Sequence, residues 1–236
     1  MIDLGADAVV QAMKYGDLHK VNHVLVTHTH DDHLNIHMLM ERMWAKVPET
    51  LHYYFTEDAF EIVEHWRENP WILKGQIPYF EEKGIVAFHR LRFGQRTEIN
   101  GMWVTPFPGN HKGNVGEKSA MYLIELPDGR KLFYGLDSGV YFPETVEALK
   151  AHRIDIYISE NTTGASGPSQ YPNHMGMPDV KELADRLFAQ GTLDRQSRLY
   201  LTHINHQSSH KQNTEAVGTM DFPVQTIVTY DGMKLF

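Results

Sequence analysis

Four side chains that bind metal ions well lie within six consecutive positions near the start of the chain. The segment reads Thr27-His28-Thr29-His30-Asp31-Asp32-His33. Imidazole and carboxylate groups are common protein ligands of zinc, manganese and iron. Two histidines can hold one ion, and an aspartate with a histidine can hold another. The residue types and their spacing therefore predict two adjacent divalent cations.

The residues ahead of this segment predict the strand that positions it. Residues 21 to 27 are largely apolar, which is typical of a buried strand. Side chains alternate between the two faces of a strand, so we expect His28 and His30 to point the same way from its C-terminal end. A bend then brings Asp32 and His33 round the same hollow.

Strand-like and helix-like runs alternate along the rest of the chain, with no repeat and no linker. Further predicted strands cover residues 51–55, 85–89, 102–107, 119–126, 131–135, 154–159, 198–202 and 224–230. Predicted helices cover residues 34–44, 57–67 (with Thr56 as cap), 143–151 and 178–190. Pro127-Asp128-Gly129 predicts a hairpin turn. The mixture predicts a single domain, residues 1–236, of the α/β (α+β) class, with sheets covered by helices.

Composition narrows the functional classes. The net charge of −8 and the lack of a basic run disfavour a nucleic-acid partner. The chain has no cysteine, which excludes disulfides and thiolate metal ligands. No apolar stretch approaches the roughly 20 residues of a membrane span. The start of the sequence lacks the pattern of a signal peptide. These features predict a cytoplasmic protein without a membrane partner.

Three more candidate ligands come shortly after predicted strands, where catalytic loops usually lie. They are His111, Asp137 and His203. A lone histidine or aspartate at a strand end is usually a capping or solvated residue. The case for ligands rests on all of these strand ends, including the one before His28, sharing one edge of the fold.

The motif His28-Thr29-His30-Asp31-Asp32-His33, followed in order by His111, Asp137 and His203, resembles the metallo-β-lactamase superfamily over nearly the whole chain. The resemblance implies a four-layer αββα sandwich with a two-metal site at one edge of its paired sheets. It implies a first metal on His28, His30 and His111, a second on Asp32, His33 and His203, and a bridging Asp137. Zn²⁺ suits these ligands best, with Mn²⁺ or Fe²⁺ as alternatives. Such a pair lowers the pKa of a shared water and so provides hydroxide for hydrolysis.

A second motif narrows the branch. Asn173-His174, about thirty residues before the segment 201–207, resembles the phosphodiesterase branch, and most of all the cyclic phosphodiesterases of phosphonate breakdown. In that branch a histidine placed like His174 stabilises negative charge or protonates the leaving oxygen. We therefore take Asp32 and His174 as candidate catalytic residues, Asp32 also being a ligand. A loop histidine that only bonds backbone is the alternative for His174, and His206 is left without a role.

The leading prediction is a metal-dependent hydrolase that acts as a phosphodiesterase on a small cyclic or aryl phosphodiester. One alternative is a carboxylic ester or lactone hydrolase, which would use the same metals on a planar carbonyl. Another is a metal-binding accessory protein of cofactor biosynthesis that performs no turnover. A role in tRNA processing ranks third among the enzymes, because the chain is acidic and has no basic arm.

The segment before the motif is short for this superfamily. Only 27 residues precede His28, and Ile2-Asp3-Leu4-Gly5 resembles the end of a hairpin that normally supplies the first strands of one sheet. Either those strands are lost, or the start of the sequence was assigned late, or another chain covers the exposed edge. An uncovered edge strand invites pairing with another chain. The sequence therefore predicts a homodimer or a longer native form.

Overall fold

The computed structural model of the protein describes residues 1–16, 18–167, 172–206 and 208–235. The chain forms two compact units. The first unit comprises Met1–Arg92 and Gly113–Lys118, and the second comprises Phe93–Lys112 and Ser119–Phe236. Each unit contains a β-sheet and an apolar core of its own. Sheets and helices together confirm the predicted α/β class.

The first unit is built on a three-stranded parallel sheet in the order β1-β2-β3. Its strands are β1 (His23–Leu25), β2 (Leu51–Thr56) and β3 (Val86–Leu91). Its helices are α1 (Ala8–Tyr15), α2 (Met38–Trp44), α3 (Glu57–Arg67) and α4 (Ile77–Glu82). The predicted helix 57–67 is confirmed: it begins after Thr56, and acidic Glu57 and Asp58 stabilise the positive end of its dipole.

Alternation of side chains explains the core of the first unit. Val24, Tyr53 and Phe55 have no exposed surface and project from one face of the sheet. Helix α3 adds Ala59 and Val63 to the same core. Burial of each aliphatic or aromatic side chain of this size stabilises the fold by about 1.5–3 kcal/mol.

The second unit contains a seven-stranded mixed sheet in the order β10-β9-β8-β7-β6-β5-β4. Its strands are β4 (Thr97–Ile99), β5 (Met102–Lys112), β6 (Lys118–Glu125), β7 (Lys131–Gly135), β8 (Ile156–Glu160), β9 (Arg198–Thr202) and β10 (Gln225–Val228). Its helices are α5 (Pro143–Leu149), α6 (Met177–Ala189) and α7 (His210–Thr219). The predicted hairpin is confirmed, since β6 and β7 pair antiparallel across the turn at residues 127–129.

Four neighbouring strands of this sheet, β7 to β10, run parallel to one another. The carboxyl ends of parallel strands meet at the same edge of a sheet. Phe133, Tyr157 and Leu199 anchor these strands in a buried core that also holds Val180 and Leu187 of α6. The residues that follow β7, β8 and β9 are therefore held close together by a rigid framework.

Three of the described helices, α1, α4 and α7, and strand β4 were not predicted from the sequence, and one strand is longer than expected. Helix α4 and strand β4 lie within residues 69–98, where Pro70, Gly75, Pro78 and Gly84 disfavour any long element. Helix α1 has no buried residue, and helix α7 is short and polar. Strand β5 continues past residue 107 to Lys112. Among the residues that the structure describes, no helix combines the length and the apolar character needed to cross a membrane.

Candidate metal centre

The first unit carries four of the predicted ligands in the loop after β1. The strand ends at Leu25, so the prediction that His28 and His30 extend from it as strand residues is wrong. The loop still brings His28 Nε2 within 2.9 Å of His30 Nδ1. Zinc–nitrogen bonds are about 2.0–2.1 Å long, so two nitrogen atoms this close can share one cation.

Asp3 and Thr27 orient the histidines of this loop. The Thr27 amide donates to Asp3 Oδ1 over 2.7 Å, and the Thr27 hydroxyl donates to Asp3 Oδ2 over 2.9 Å. His33 Nδ1 donates to the same Asp3 Oδ2 over 2.7 Å, and His28 Nδ1 lies 3.0 Å from the Thr27 hydroxyl. A hydrogen bond at Nδ1 fixes the ring and leaves the Nε2 lone pair for a metal.

The other two predicted ligands of this loop, Asp32 and His33, also lie close together. His33 Nε2 lies 3.5 Å from Asp32 Oδ2, while His33 itself is buried and Asp32 is exposed. The loop packs closely against the N-terminal segment, so closely that a Cβ at Gly5 would overlap the carbonyl of Asp32. Sequence reasoning missed the part of Asp3. Its signal was an acidic residue inside an apolar run, Ile2-Asp3-Leu4.

The second unit carries the other predicted ligands. Asp137 follows β7 and His203 follows β9, as predicted, and both have left-handed backbones, with φ of 42° and 54°. Left-handed non-glycine residues are costly and concentrate at functional sites. His111 lies within β5, near its C-terminal end, so the prediction that it follows a strand in a loop is wrong.

The Asp137 carboxylate faces a different imidazole with each oxygen. Oδ2 lies 3.9 Å from His111 Nε2, whereas Oδ1 lies 3.2 Å from His203 Nε2. His174 Nδ1 is 3.3 Å from the same Oδ1. His111, Asp137 and His174 form a group of ligand atoms close enough to hold an ion. A carboxylate between two imidazole nitrogens has the arrangement of a bridging ligand.

Both histidine ligands of the second unit are fixed at their other nitrogen. His111 Nδ1 donates to the carbonyl of Asn173 over 3.2 Å. His203 Nδ1 donates to the Thr162 hydroxyl over 2.9 Å. As in the first unit, the nitrogen that faces the carboxylate is Nε2. The imidazole and carboxylate donors of each unit therefore fit a divalent cation.

Glu160 organises the ligand cluster of the second unit, and sequence reasoning missed it. Its carboxylate has no exposed surface and accepts hydrogen bonds from five residues on three segments of the chain. They are the Ser138, Gly139 and Met175 amides, the Ser138 and Thr162 hydroxyls, and His174 Nδ1. Burial opposes the charge, but bonds from His174 and Thr162 keep the pKa of Glu160 below its usual value. Glu160 ends strand β8, and in the sequence only this position at the end of a strand indicates a role near the candidate ligands.

His174 lies between two carboxylates. Its Nδ1 is 3.3 Å from both Asp137 Oδ1 and Glu160 Oε2. The hydrogen bonds that His174 donates to Asp137 and then to Glu160 raise its pKa to about 9, although burial opposes them. In the metal-free protein the imidazole is therefore protonated at neutral pH. The predicted loop 163–172 before it lies partly outside the described residues, at positions 168–171.

Comparison with known proteins gives the family. The sequence profile described as "Beta-lactamase superfamily domain" matches residues 1–204, which include every predicted ligand. The chain belongs to the beta-lactamase superfamily. No curated protein matches this superfamily member by sequence.

Solved structures confirm the predicted metallo-β-lactamase fold. The metallo-beta-lactamase fold protein YhfI from Bacillus subtilis superposes with a TM-score of 0.68 at 16% sequence identity, and the match covers 98% of this chain and 85% of the YhfI chain. A diphosphatase of the PhnP family has a TM-score of 0.69 at 20% identity, over 100% and 78%. Unliganded yeast PDE1 has a TM-score of 0.71 at 12% identity, over 91% and 68%. Identities this low show the fold of this superfamily member, not its substrate.

The other histidines of this superfamily member lie outside these two clusters. His206 is exposed. His23, His52 and His89 lie on one face of the first unit's sheet, where His52 Nδ1 is 2.9 Å from His89 Nε2 and His23 stacks on His52. Their rings pack against one another and against Tyr54. They are packed residues, as expected from the lack of a motif around them.

Proposed function

We propose that the protein is a metal-dependent phosphodiesterase that cleaves a small cyclic or aryl phosphodiester. Its proposed ligands are His28, His30, Asp32, His33, His111, Asp137 and His203, and its proposed catalytic residues are Asp32 and His174. All of these residues, from His28 to His203, lie within the range that matches the superfamily profile. Zn²⁺ is the preferred cation, with Mn²⁺ and Fe²⁺ as alternatives.

The observation that carries the proposal is the environment of Asp137. One of its oxygens faces His111 and the other faces His203, which supports a carboxylate shared by two cations. When bound, two divalent cations acidify a water and neutralise charge that develops on a substrate phosphate. The fixed Nδ1 atoms of His33, His111 and His203 support the same interpretation, because they direct Nε2 toward the metals.

The positive charge and the proton of His174 favour a phosphodiester over a carboxylic ester as the substrate. Asp137 and Glu160 hold its ring and favour its protonated form. A protonated imidazole attracts an anionic phosphate and can donate a proton to the departing alkoxide or phenoxide oxygen. The proton passes from His174 to the leaving oxygen as the P–O bond breaks. A neutral carboxylic ester would gain less from this cation before it reacts.

Two of the structural neighbours are named for related chemistry. One is a diphosphatase and another is PDE1. These names support a phosphoester substrate for this chain. The net charge of −8 favours a small substrate over a long nucleic acid, because acidic surfaces repel a phosphate backbone.

The test compares metal-loaded protein on two series of substrates. We expect hydrolysis of bis(p-nitrophenyl) phosphate and of phenyl or alkyl phosphodiesters, and weak turnover of a matched panel of lactones and aryl carboxylic esters. His174→Ala should lower kcat about 10²–10⁴-fold on phenyl or alkyl leaving groups. The loss should be smaller for p-nitrophenolate, which departs without a proton.

Two variants serve as controls. Asp137→Ala should lose turnover together with metal, and His65→Ala, which changes an exposed histidine on α3, should behave as wild type. Faster hydrolysis of lactones than of phosphodiesters would replace the proposal with the carboxylic ester alternative. Protein that holds two metals and turns over neither series would instead indicate the accessory role.

A further inference from the structure

Thr29 lies between two predicted ligands, His28 and His30, and its polar groups are bound by one short segment, Gly113–Lys118. Its hydroxyl donates to Glu117 Oε1 over 2.6 Å, and its backbone amide donates to the same oxygen. Its carbonyl accepts from Asn114 Nδ2 over 2.6 Å. The donors and the acceptor of the residue between the two histidines are thus all engaged by Glu117 and Asn114.

The segment is a closed turn shaped around the Glu117 carboxylate. The Gly113 amide donates to the Glu117 carbonyl over 2.9 Å, and the Glu117 amide donates back to the Asn114 carbonyl over 3.2 Å. A Cβ at Gly113 would overlap the Glu117 carboxylate, so a larger residue there would displace this carboxylate from Thr29. Val115 has a left-handed backbone with φ of 53°, which is costly for a β-branched residue.

Glu117 is an unusual residue to bury. It is 3% exposed, and burial raises the pKa of its carboxyl group, although the bonds from Thr29 oppose the rise. Its Oε2 is buried with no hydrogen-bond partner among the described residues. A buried carboxylate with an unsatisfied oxygen and a strained turn both cost stability. Residues that carry such costs concentrate at functional sites.

We propose that Glu117 is a positioning residue of the metal centre, which holds the Thr29 peptide so that His28 Nε2 and His30 Nδ1 converge on one cation. The two histidines use different ring nitrogens, so their convergence depends on the rotation of the backbone between them. Glu117 fixes that rotation at the amide, and Asn114 fixes it at the carbonyl. This inference rests on the proposed function only in taking His28 and His30 as ligands.

The test measures metal affinity, not turnover. Partners that orient metal ligands typically contribute 10–100-fold to affinity, so Glu117→Ala should weaken the binding of one of two Zn²⁺ ions by about that factor. Competition with a chromophoric chelator and native mass spectrometry give the affinity and the stoichiometry. Glu117→Gln keeps the Oε1 acceptor and places its amide where Oε2 has no partner, so it should restore affinity to within about threefold of wild type.

Asp58→Ala is the matched control. Asp58 accepts from the Lys118 amide over 3.3 Å, so it contacts the same segment without touching Thr29. It should bind both ions as wild type does. Nitrogen-15 NMR of zinc-loaded protein gives a second readout: in Glu117→Ala the His28 and His30 ring resonances should move from their wild-type metal-bound positions, while those of His33 stay unchanged.

Several outcomes would overturn the positioning role. One is Glu117→Ala binding both ions with wild-type affinity, and another is Glu117→Gln behaving like Glu117→Ala. If Glu117→Ala does not fold, Asn114→Ala replaces it, and unchanged affinity there would overturn the role equally. The two proposals fail separately. Wild-type protein that holds two ions without cleaving phosphodiesters contradicts the proposed function, whereas the affinity of the variants decides the role of Glu117.

Discussion

At the scale of single residues, the site is organised by groups that do not touch a metal. Asp3 and Thr27 fix His33 and His28 in the first unit. In the second unit Thr162, which is itself bonded to Glu160, fixes His203. Each histidine ligand needs one nitrogen protonated and the other free for the cation. The partner at Nδ1 makes that choice, so these buried acceptors determine which atom can bind.

The protonation of His174 gives a prediction about pH. Its pKa is about 9 in the folded chain, against an ordinary 6.5. The raised value stabilises the fold fully below pH 6.5, and this contribution is lost as the pH rises through 9. In metal-free protein, His174→Asn should therefore lower the melting temperature most near pH 6 and least near pH 9.5. Thermal melts of both proteins across this range check the expectation.

NMR of the same metal-free protein provides an independent check. The His174 ring should titrate with a midpoint near 9. A midpoint at its ordinary value would contradict the environment described here, and with it the assignment of His174 as a proton donor at neutral pH.

At the scale of elements, the second unit places its functional residues by parallel strand order. Strands β7, β8 and β9 are neighbours, and Asp137, Glu160 and His203 stand at their carboxyl ends. Glu160 joins the segments that follow, since it binds the amides after Asp137 and the amide of Met175 after His174. The loops that carry the second unit's candidate ligands therefore share one buried anchor.

Glu160→Gln tests that anchor. An amide has one acceptor oxygen where the carboxylate has two, so its NH₂ group would face the Met175 amide and the Thr162 hydroxyl, or those of Ser138 and Gly139. Leaving a buried donor unsatisfied costs about 1–3 kcal/mol, so we expect a loss of at least that size in the free energy of unfolding. Urea denaturation of metal-free protein measures it.

Glu125→Gln is the control for Glu160→Gln, because Glu125 pairs with Arg96 at the surface. Exposed pairs contribute about 0–1 kcal/mol, so this variant should unfold close to wild type. Equal effects of the two substitutions would show that Glu160 is not the anchor of these loops.

Two element-scale predictions failed for different reasons. Helix α7 has a capping box, in which Ser209 and Gln212 bond each other's backbone, so its signal was present in the sequence and was not used. Strand β5 extends through Pro106, Pro108 and Gly109, residues that disfavour strands in isolation. Tertiary pairing overrides that preference, and it is what places His111 on a strand.

At the scale of the whole molecule, each compact unit carries proposed ligands, so we expect metal to stabilise the folded chain. A ligand present at 100 times its dissociation constant adds about 2.7 kcal/mol, which is about 5–10 °C in melting temperature for a chain of this length. Chelation should lower the melting temperature by about that amount for each ion removed. Added Zn²⁺ should restore it, as differential scanning fluorimetry can measure.

Asp137→Ala is the control for metal-dependent stability. Its melting temperature should respond weakly to chelator and to Zn²⁺, because it lacks the carboxylate that faces His111 and His203. An equal response in wild type and Asp137→Ala would contradict a role for Asp137 in metal binding. The single domain, the homodimer and the cytoplasmic location stay predictions.

The sequence by itself determined the family, the fold class and the identity of the candidate ligands. It could do so because His28, His30, Asp32 and His33 are close along the chain. The order in which the later candidate ligands follow them can also be read from the sequence without knowledge of the backbone between them. Turn and cap residues were equally local, so the hairpin and helix α3 were predicted correctly.

Only the tertiary structure decided which residues hold those ligands in place. Asp3 is 30 positions from His33, Glu117 is 88 from Thr29, and Thr162 is 41 from His203. A carboxylate or hydroxyl becomes a ligand's partner through burial and distance, and neither is written in local spacing. The first residues of the chain, read as the end of an absent hairpin, thus proved to contain the acceptor that orients His33.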